Sequence, residues 1–300
     1  MSDRPLVIKF GGTSVGDGAR FSRAAGIAIQ ADQDRPVAIV VSAMSGTTDT
    51  LLGYADTTTG RSGRISTGAT REGSVAELHR TLSDRHLRAA REAVSAQHLP
   101  EVERHLLALL EDLTRAVNEP PENPAARRAA IAVHGERLSA EILAGAIRSA
   151  GMPAAVVAED PIATSAGFDG AHVDPAETER RCSRLVATLL DNGAIAVVPG
   201  YVGRSPEGLP TTLGRGGSDL SATVVGKALG SREVWIMSDV DGVLDADPRL
   251  VPEATLMQHL SYWEARLFAA LGAKVLHPKT MEPASEAGIE VRVRNTFNLE

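Results

Sequence analysis

Leu6-Val7-Ile8-Lys9-Phe10-Gly11-Gly12-Thr13-Ser14 is the stretch on which the fold turns. Leu6 to Phe10 is a short apolar run, paired glycines follow at once, and a helical pattern occupies residues 17–31. That order, strand then glycine turn then helix, repeats outward along the chain. Residues 36–41 read as a second strand and 46–56 as a second helix. Val75, Leu78 and Leu82 share one helical face, and Val102, Leu106, Leu109, Leu113 and Val117 share another; both read as core faces rather than cofactor boxes. Residues 120–124, with their three prolines, interrupt the pattern, and 125–150 resume it as one helix closed by Gly151. Residues 154–158 and 194–198 read as buried strands separated by a helix over 175–191. A helix over 218–229, a strand over 234–237, helices over 262–271 and 278–287, and a strand over 290–293 complete the chain. Strands alternating with helices at this spacing predict an α/β fold with a mainly parallel sheet covered on both faces. Ligands of such sheets collect at the carboxyl ends of the strands.

The bulk properties narrow the function. With 300 residues, 43% hydrophobic and 23% charged, the chain can bury a full core as one large domain or two smaller ones. Its net charge of −7 and lack of a Lys/Arg-rich run argue against a nucleic-acid partner. The longest apolar runs fall far short of the ~20 residues that cross a bilayer, so no membrane span is expected. The opening MSDRPLVIKF lacks a secretory pattern, which points to the cytoplasm. The lone cysteine, Cys182, offers neither an internal disulfide nor a cysteine metal cage and reads as an inert buried thiol.

A second glycine turn, Leu213-Gly214-Arg215-Gly216-Gly217-Ser218-Asp219, has the same form as the first. Paired glycines let backbone N–H groups approach an anion, and a following helix N-terminus favours negative charge. Either turn alone could be a tight turn and no more, but two of them, each with a cation (Lys9 and Arg215), point to phosphate. Neither is a Walker A loop or a dinucleotide fingerprint. Gly12-Thr13-Ser14-Val15-Gly16 also matches the nucleophile elbow of hydrolases, with Ser14 as nucleophile, although that fold needs several strands ahead of the elbow. Ser238-Asp239-Val240-Asp241-Gly242, with Asp245 and Asp247 beyond, reads as turn chemistry more readily than as a metal site. Lys274 and His277 precede the helix over 278–287, and Glu136, in His134-Gly135-Glu136-Arg137, is a carboxylate within a helical stretch.

In order along the chain, these blocks resemble the catalytic domain of the aspartate kinases, within the amino-acid kinase superfamily. The matching segments are Lys9-Phe10-Gly11-Gly12-Thr13-Ser14-Val15, Val41-Ser42-Ala43-Met44-Ser45-Gly46, Gly135-Glu136-Arg137-Leu138-Ser139, Pro199-Gly200-Tyr201 and the second glycine turn. They continue with Ser238-Asp239-Val240-Asp241-Gly242-Val243, Ala246-Asp247-Pro248-Arg249, Gly272-Ala273-Lys274-Val275-Leu276-His277-Pro278 and Arg292-Val293-Arg294-Asn295-Thr296. The resemblance implies a three-layer αβα sandwich forming a single amino-acid kinase domain over residues 1–300. Within it, about 1–195 would form the amino-acid-binding part and about 196–300 the nucleotide-binding part. It implies transfer of the γ-phosphoryl group of ATP to the side-chain carboxylate of L-aspartate, an acceptor that is ionised at neutral pH and needs no general base.

On the same pattern Lys9, Asp219 and Lys274 are catalytic, the lysines bracketing the transferring phosphoryl and Asp219 holding them in place. Lys9, Gly11, Gly12, Gly216, Gly217, Ser238, Asp239, Leu244, Arg249, Lys274 and Val275 fall to ATP, the glycine turns supplying N–H donors. Ser42, Thr48, Glu136, Arg215 and Ser218 fall to the acceptor amino acid. Mg2+ is expected on phosphate oxygens and water, with no protein metal ligand. The resemblance further implies a homodimer, with a separate regulatory subunit as an alternative way to control it. Asp49 stands where the family usually has Asn, Leu244-Asp245 where it has Tyr-Thr, and Leu299 where it has Pro. Members usually continue into ACT regulatory domains, so no lysine or threonine feedback is expected within these residues. Asp49 keeps open another small amino-acid or carboxylic-acid acceptor, and a non-catalytic subunit of the same fold is a further alternative.

Overall fold

The computed structural model describes residues 4–58, 71–246, 251, 253–270 and 278–298. Its strands are β1 (Leu6–Phe10), β2 (Val37–Val41), β3 (Ala154–Val156), β4 (Ile195–Pro199), β5 (Val202–Arg204), β6 (Pro210–Thr212), β7 (Glu233–Ser238) and β8 (Glu290–Asn295). Six of them form one sheet in the order β3-β4-β2-β1-β7-β8, with every adjacent pair parallel. β5 and β6 make a separate antiparallel hairpin.

Period-two side-chain alternation sorts the central strands between two cores. Leu6, Ile8 and Phe10 of β1, Val37, Ile39 and Val41 of β2, and Met237 of β7 face one core. Val7, Ala38, Val40, Val234 and Ile236 face the other. Both faces are covered, so these strands read as continuous apolar runs. The first core is closed by α1 (Gly18–Asp32), α2 (Thr47–Thr58), α3 (Arg71–Ala93), α4 (Leu99–Asn118), α5 (Pro124–Ala132) and α6 (His134–Ser149). The second is closed by α7 (Pro175–Cys182), which runs through a π-helical turn into α8 (Thr188–Asp191), then by α9 (Gly217–Ala228), α10 (Tyr262–Ala270) and α11 (Pro278–Ala287). The three-layer αβα sandwich expected from the sequence is therefore the observed architecture. No helix among the described residues is long and apolar enough to cross a membrane.

The departures are local. The helix expected over 125–150 is divided at Val133, after which Gly135 seats so closely that a Cβ there would lie 2.8 Å from the Ala43 side chain. Leu110 enters the core from α4 fully buried, while Leu109 packs against it only partly buried, because this helix is wedged between α3 and α6 and its buried stripe tilts accordingly. The strand expected over 154–158 ends at Val156. The hairpin β5–β6 was not expected; its signal was the turn Ser205-Pro206-Glu207-Gly208, with Gly208 at φ +80°.

Candidate active site

A cleft of about 590 Å³ opens at the carboxyl ends of β1, β2 and β4, where this class of sheet gathers its ligands. Lys9, the penultimate residue of β1, points to the same side as Val7 and reaches the first turn of α9, where its Nζ lies 2.6 Å from Asp219 Oδ1. Both side chains are mostly buried, which sharpens the attraction relative to a surface pair. Ser42, just beyond β2, and Thr48, in the first turn of α2, line the same cleft. So do Gly12, Arg215, Gly216, Gly217 and Ser218. Residues from both halves of the chain thus meet around one space.

Glu136 enters this space from the first turn of α6 and is 3% exposed. Burial pushes its carboxyl up to about 8, against hydrogen bonds from backbone groups at Glu136 and Ala43 and from the Thr48 side chain, which pull it down. Its Oε2 is buried without a hydrogen-bond partner among the described residues. A buried carboxylate oxygen left open is costly unless a donor arrives from outside. Arg215 is the complement: it is exposed at the cleft and makes no hydrogen bond or ion pair among the described residues.

The two glycine turns differ in detail from the expectation. Gly11 cannot offer its N–H to a ligand, because it donates to Met237 O at 3.2 Å, the next strand's last turn of ladder. What Gly11 supplies is room, since a Cβ there would sit 3.3 Å from Lys9 Nζ. Gly217 likewise donates to Gly214 O at 2.9 Å and leaves space for the Tyr201 ring, which a Cβ would meet at 2.6 Å. Gly216, at φ +71°, is the N-cap of α9, and its lack of a side chain makes that left-handed cap accessible. The α9 N-terminus therefore faces the cleft with orphan N–H groups and its positive dipole end.

The amino acid kinase family profile matches residues 4–295. The chain belongs to the amino acid kinase family. It is 35% identical to Aspartokinase 2, chloroplastic, of Arabidopsis thaliana over 295 residues, covering 97% of this chain and 52% of that protein. In structure it matches E. coli aspartokinase III in complex with aspartate and ADP, with a TM-score of 0.85 and 28% identity over 98% of this chain and 62% of that one. The same E. coli enzyme in complex with lysine and aspartate matches with a TM-score of 0.84 and 27% identity, covering 99% and 63%. The chain spans about half the length of the Arabidopsis thaliana aspartokinases it matches and about a third of the bifunctional aspartokinase/homoserine dehydrogenases.

In this amino acid kinase family member the residues expected at ATP are only partly gathered. Ser238 ends β7 and Asp239 follows it into solvent, accepting from Ser238 Oγ at 3.2 Å; neither lines the described cleft. Leu244 pairs instead with Leu256 in an isolated bridge. Arg249, Lys274 and Val275 lie outside the described residues. Asp245 accepts from the N–H and hydroxyl of Thr255, ten residues further along the chain. The hydrolase reading of Ser14 fails: the side chain is fully buried in a 3-10 turn and its Oγ lies 2.6 Å from Thr296 Oγ1. Cys182 is buried, and burial pushes its thiol up to about 12.

Leu52, Arg128 and Asp169 line the cleft without having been singled out in the sequence, and Tyr201 was there only as part of a matching segment with no site role. Tyr201 carries a positive φ of 65° that is held by its N–H to Ser221 Oγ and its carbonyl to the Leu213 N–H. Its place in Pro199-Gly200-Tyr201, just after an apolar strand, was the available signal. Arg128 and Asp169 carried none, since one lies on a helix and the other on a loop remote in sequence from both glycine turns.

Proposed function

We propose that this protein transfers the γ-phosphoryl group of ATP to the side-chain carboxylate of L-aspartate, forming 4-phospho-L-aspartate. Glu136 and Arg215 carry this reading. A buried carboxyl oxygen and a guanidinium that both lack a partner among the described residues, lining one cleft, are the complement of an α-amino acid's ammonium and carboxylate. Lys9, beside the α9 N-terminus, supplies the positive charge for the equatorial oxygens of a transferring phosphoryl group, and Asp219 holds that lysine in place. The acceptor carboxylate is already ionised, so positioning and charge neutralisation are the whole catalytic task. Similarity to an aspartokinase structure in complex with aspartate and ADP supports both halves of the reaction.

The nucleotide half of the proposal assigns ATP to the carboxyl ends of β1 and β7, with Arg249 and Lys274 joining Lys9 on the phosphates. The same proposal brings Mg2+ in on the phosphates of the nucleotide, where a hard cation keeps most of its waters. The same reading assigns residues 1–195 mainly to the amino acid and 196–300 mainly to the nucleotide, in a cytoplasmic homodimer. Asp49, which lines the cleft next to Thr48, favours a second reading: the same chemistry on another small acid whose groups tolerate that added negative charge.

Magnesium-dependent ADP release with hydroxylamine trapping of acyl phosphate, across L-aspartate, L-glutamate and related acids, tests both readings. Hydroxamate with L-aspartate is the expected result. Product with another acid alone would move the assignment to the second reading, and none with any acid would remove the kinase proposal.

A further inference from the structure

Arg128 lies in the cleft but is not free to take a ligand's carboxylate. From α5 its Nε donates to Asp56 Oδ1 of α2 at 2.9 Å, and its Nη1 donates to Asp169 Oδ2 at 3.1 Å. Two carboxylates already answer its charge, unlike Arg215, which has no partner among the described residues. Hydrogen bonding to Asp56 and the fields of Asp56 and Asp169 raise the Arg128 guanidinium despite desolvation, so it is charged throughout the working pH range.

Asp169 is the other end of a connection. It sits within residues 165–173, a loop docked on β6: Thr212 donates its N–H to Phe168 O at 2.9 Å, and Ala171 donates to Thr212 O at 2.9 Å. Thr212 Oγ1 also approaches Asp169 Oδ1 at 3.3 Å. The chain then enters the second glycine turn directly, Thr212 being three residues before Arg215. Gly214 is packed so closely on Gly170 that a Cβ would lie 3.1 Å from its Cα. The loop therefore touches the turn that presents Arg215 at two points, through Thr212 and through Gly170.

We propose that the Arg128–Asp169 ion pair is a clasp that positions Arg215 for the acceptor, joining α2 and α5 on one side of the cleft to the second glycine turn on the other. This rests on the functional reading above and assigns to that site a positioning residue the sequence did not show. The clasp ties two structural layers at the cleft mouth: Arg128 belongs to α5, in the helical layer over the first core, and Asp169 to a loop that leans on the turn before α9. It holds the turn through Asp169 and Thr212 rather than by touching the acceptor. Its loss is therefore felt at acceptor binding and not at the nucleotide.

Arg128→Gln and Asp169→Asn, alone and together, separate this from a general structural role. Each single variant should raise the acceptor KM about tenfold, with the KM for ATP within twofold and kcat changed less than the acceptor KM. The double variant should be no worse than either single one, because both break one connection. Arg128→Lys, which keeps the charge, should recover part of the loss. Hydrogen–deuterium exchange on the ligand-free proteins gives a readout independent of catalysis: Asp169→Asn, a change at a half-exposed rim position, should speed exchange over residues 165–173 and also over 213–217. Unchanged exchange over 213–217, equal rises in both KM values, or additive effects in the double variant would each overturn the clasp. If the wild type phosphorylates no acid at all, the functional reading falls and the exchange arm still decides whether the clasp exists.

Discussion

In the first glycine turn Gly11 donates its N–H to Met237 and Gly12 is pressed to within 2.8 Å, at its absent Cβ, of the Ala43 carbonyl oxygen. In the second, Gly214 and Gly216 adopt φ of +76° and +71°, and Arg215 stands in solvent between them. The first turn is sewn into the sheet: Ser14 is buried against Thr296, and Lys9 is fixed to Asp219. The second is a left-handed cap leading into a helix N-terminus, with its cation unengaged among the described residues. One therefore fixes a charge, and the other presents one. Paired glycines in a sequence announce that something comes close; whether it is a backbone carbonyl, a neighbouring ring or a ligand depends on what the rest of the fold puts there.

If that contrast is right, the two cations should fail in different ways. Lys9→Ala should lower turnover about a thousandfold, as expected for removal of a preorganised charge at a developing anion, with near-UV circular dichroism unchanged. Wild-type turnover in that variant would break the comparison at once. Arg215→Gln should instead act on binding, raising the acceptor KM about tenfold to a hundredfold, the range for a charge-assisted contact, with little change in the KM for ATP.

Glu136 sharpens the same contrast through pH. With its carboxyl held up at about 8, the residue is mainly protonated in the free protein at neutral pH, yet an ammonium group pairs with the ionised form. The acceptor KM should fall as pH rises from about 7 past about 8, and Glu136→Gln should show a weaker and flat response. Stability has its own sign. The folded value lies above that of the unfolded chain, so the native state holds the extra proton between about 4.5 and about 8. Wild-type stability relative to Glu136→Gln should therefore decline as pH rises through that window and level off above it, which melting curves across pH would show.

Smaller effects separate the reasons for glycine. Gly12→Ala should destabilise by about 1–3 kcal/mol, because the Ala43 backbone carbonyl it would meet cannot step aside. Gly216→Ala should cost about 1–2 kcal/mol through its positive φ alone. Urea titrations distinguish them further if Asn is substituted: Asn tolerates the left-handed region and should recover part of the loss at position 216 but none at position 12. Ser14→Ala is expected to have the smallest effect, about 1 kcal/mol for the buried hydroxyl's contacts with Thr296 and the Met237 carbonyl, and no ester hydrolysis should be found in either protein to lose.

Much of this molecule was legible in one dimension. Helix α11 and strand β1 fall on the residues the pattern indicated, because their signals are local: a Pro start, a glycine stop, an apolar run. The hairpin β5–β6 was missed because three-residue strands leave almost no periodicity to read. Of the proposed site, Lys9, Gly12, Ser42, Thr48, Glu136, Arg215, Gly216, Gly217, Ser218 and Asp219 share one cleft, as the motif order implied. The engagement of the Gly11 N–H by Met237 was not readable, since the partner lies on a strand more than two hundred residues away.

The sequence by itself determined the alternation of strands and helices, the two-faced burial of the central strands and the residue types at the strand ends, because each depends on neighbours within a turn or two of chain. Only the tertiary structure decided which glycine N–H groups are engaged, that Ser14 is a buried core hydroxyl, and that Arg128 meets Asp56 and Asp169. Those outcomes depend on contacts between segments far apart in the chain. Their geometry follows from how layers pack on a sheet, which no local pattern encodes.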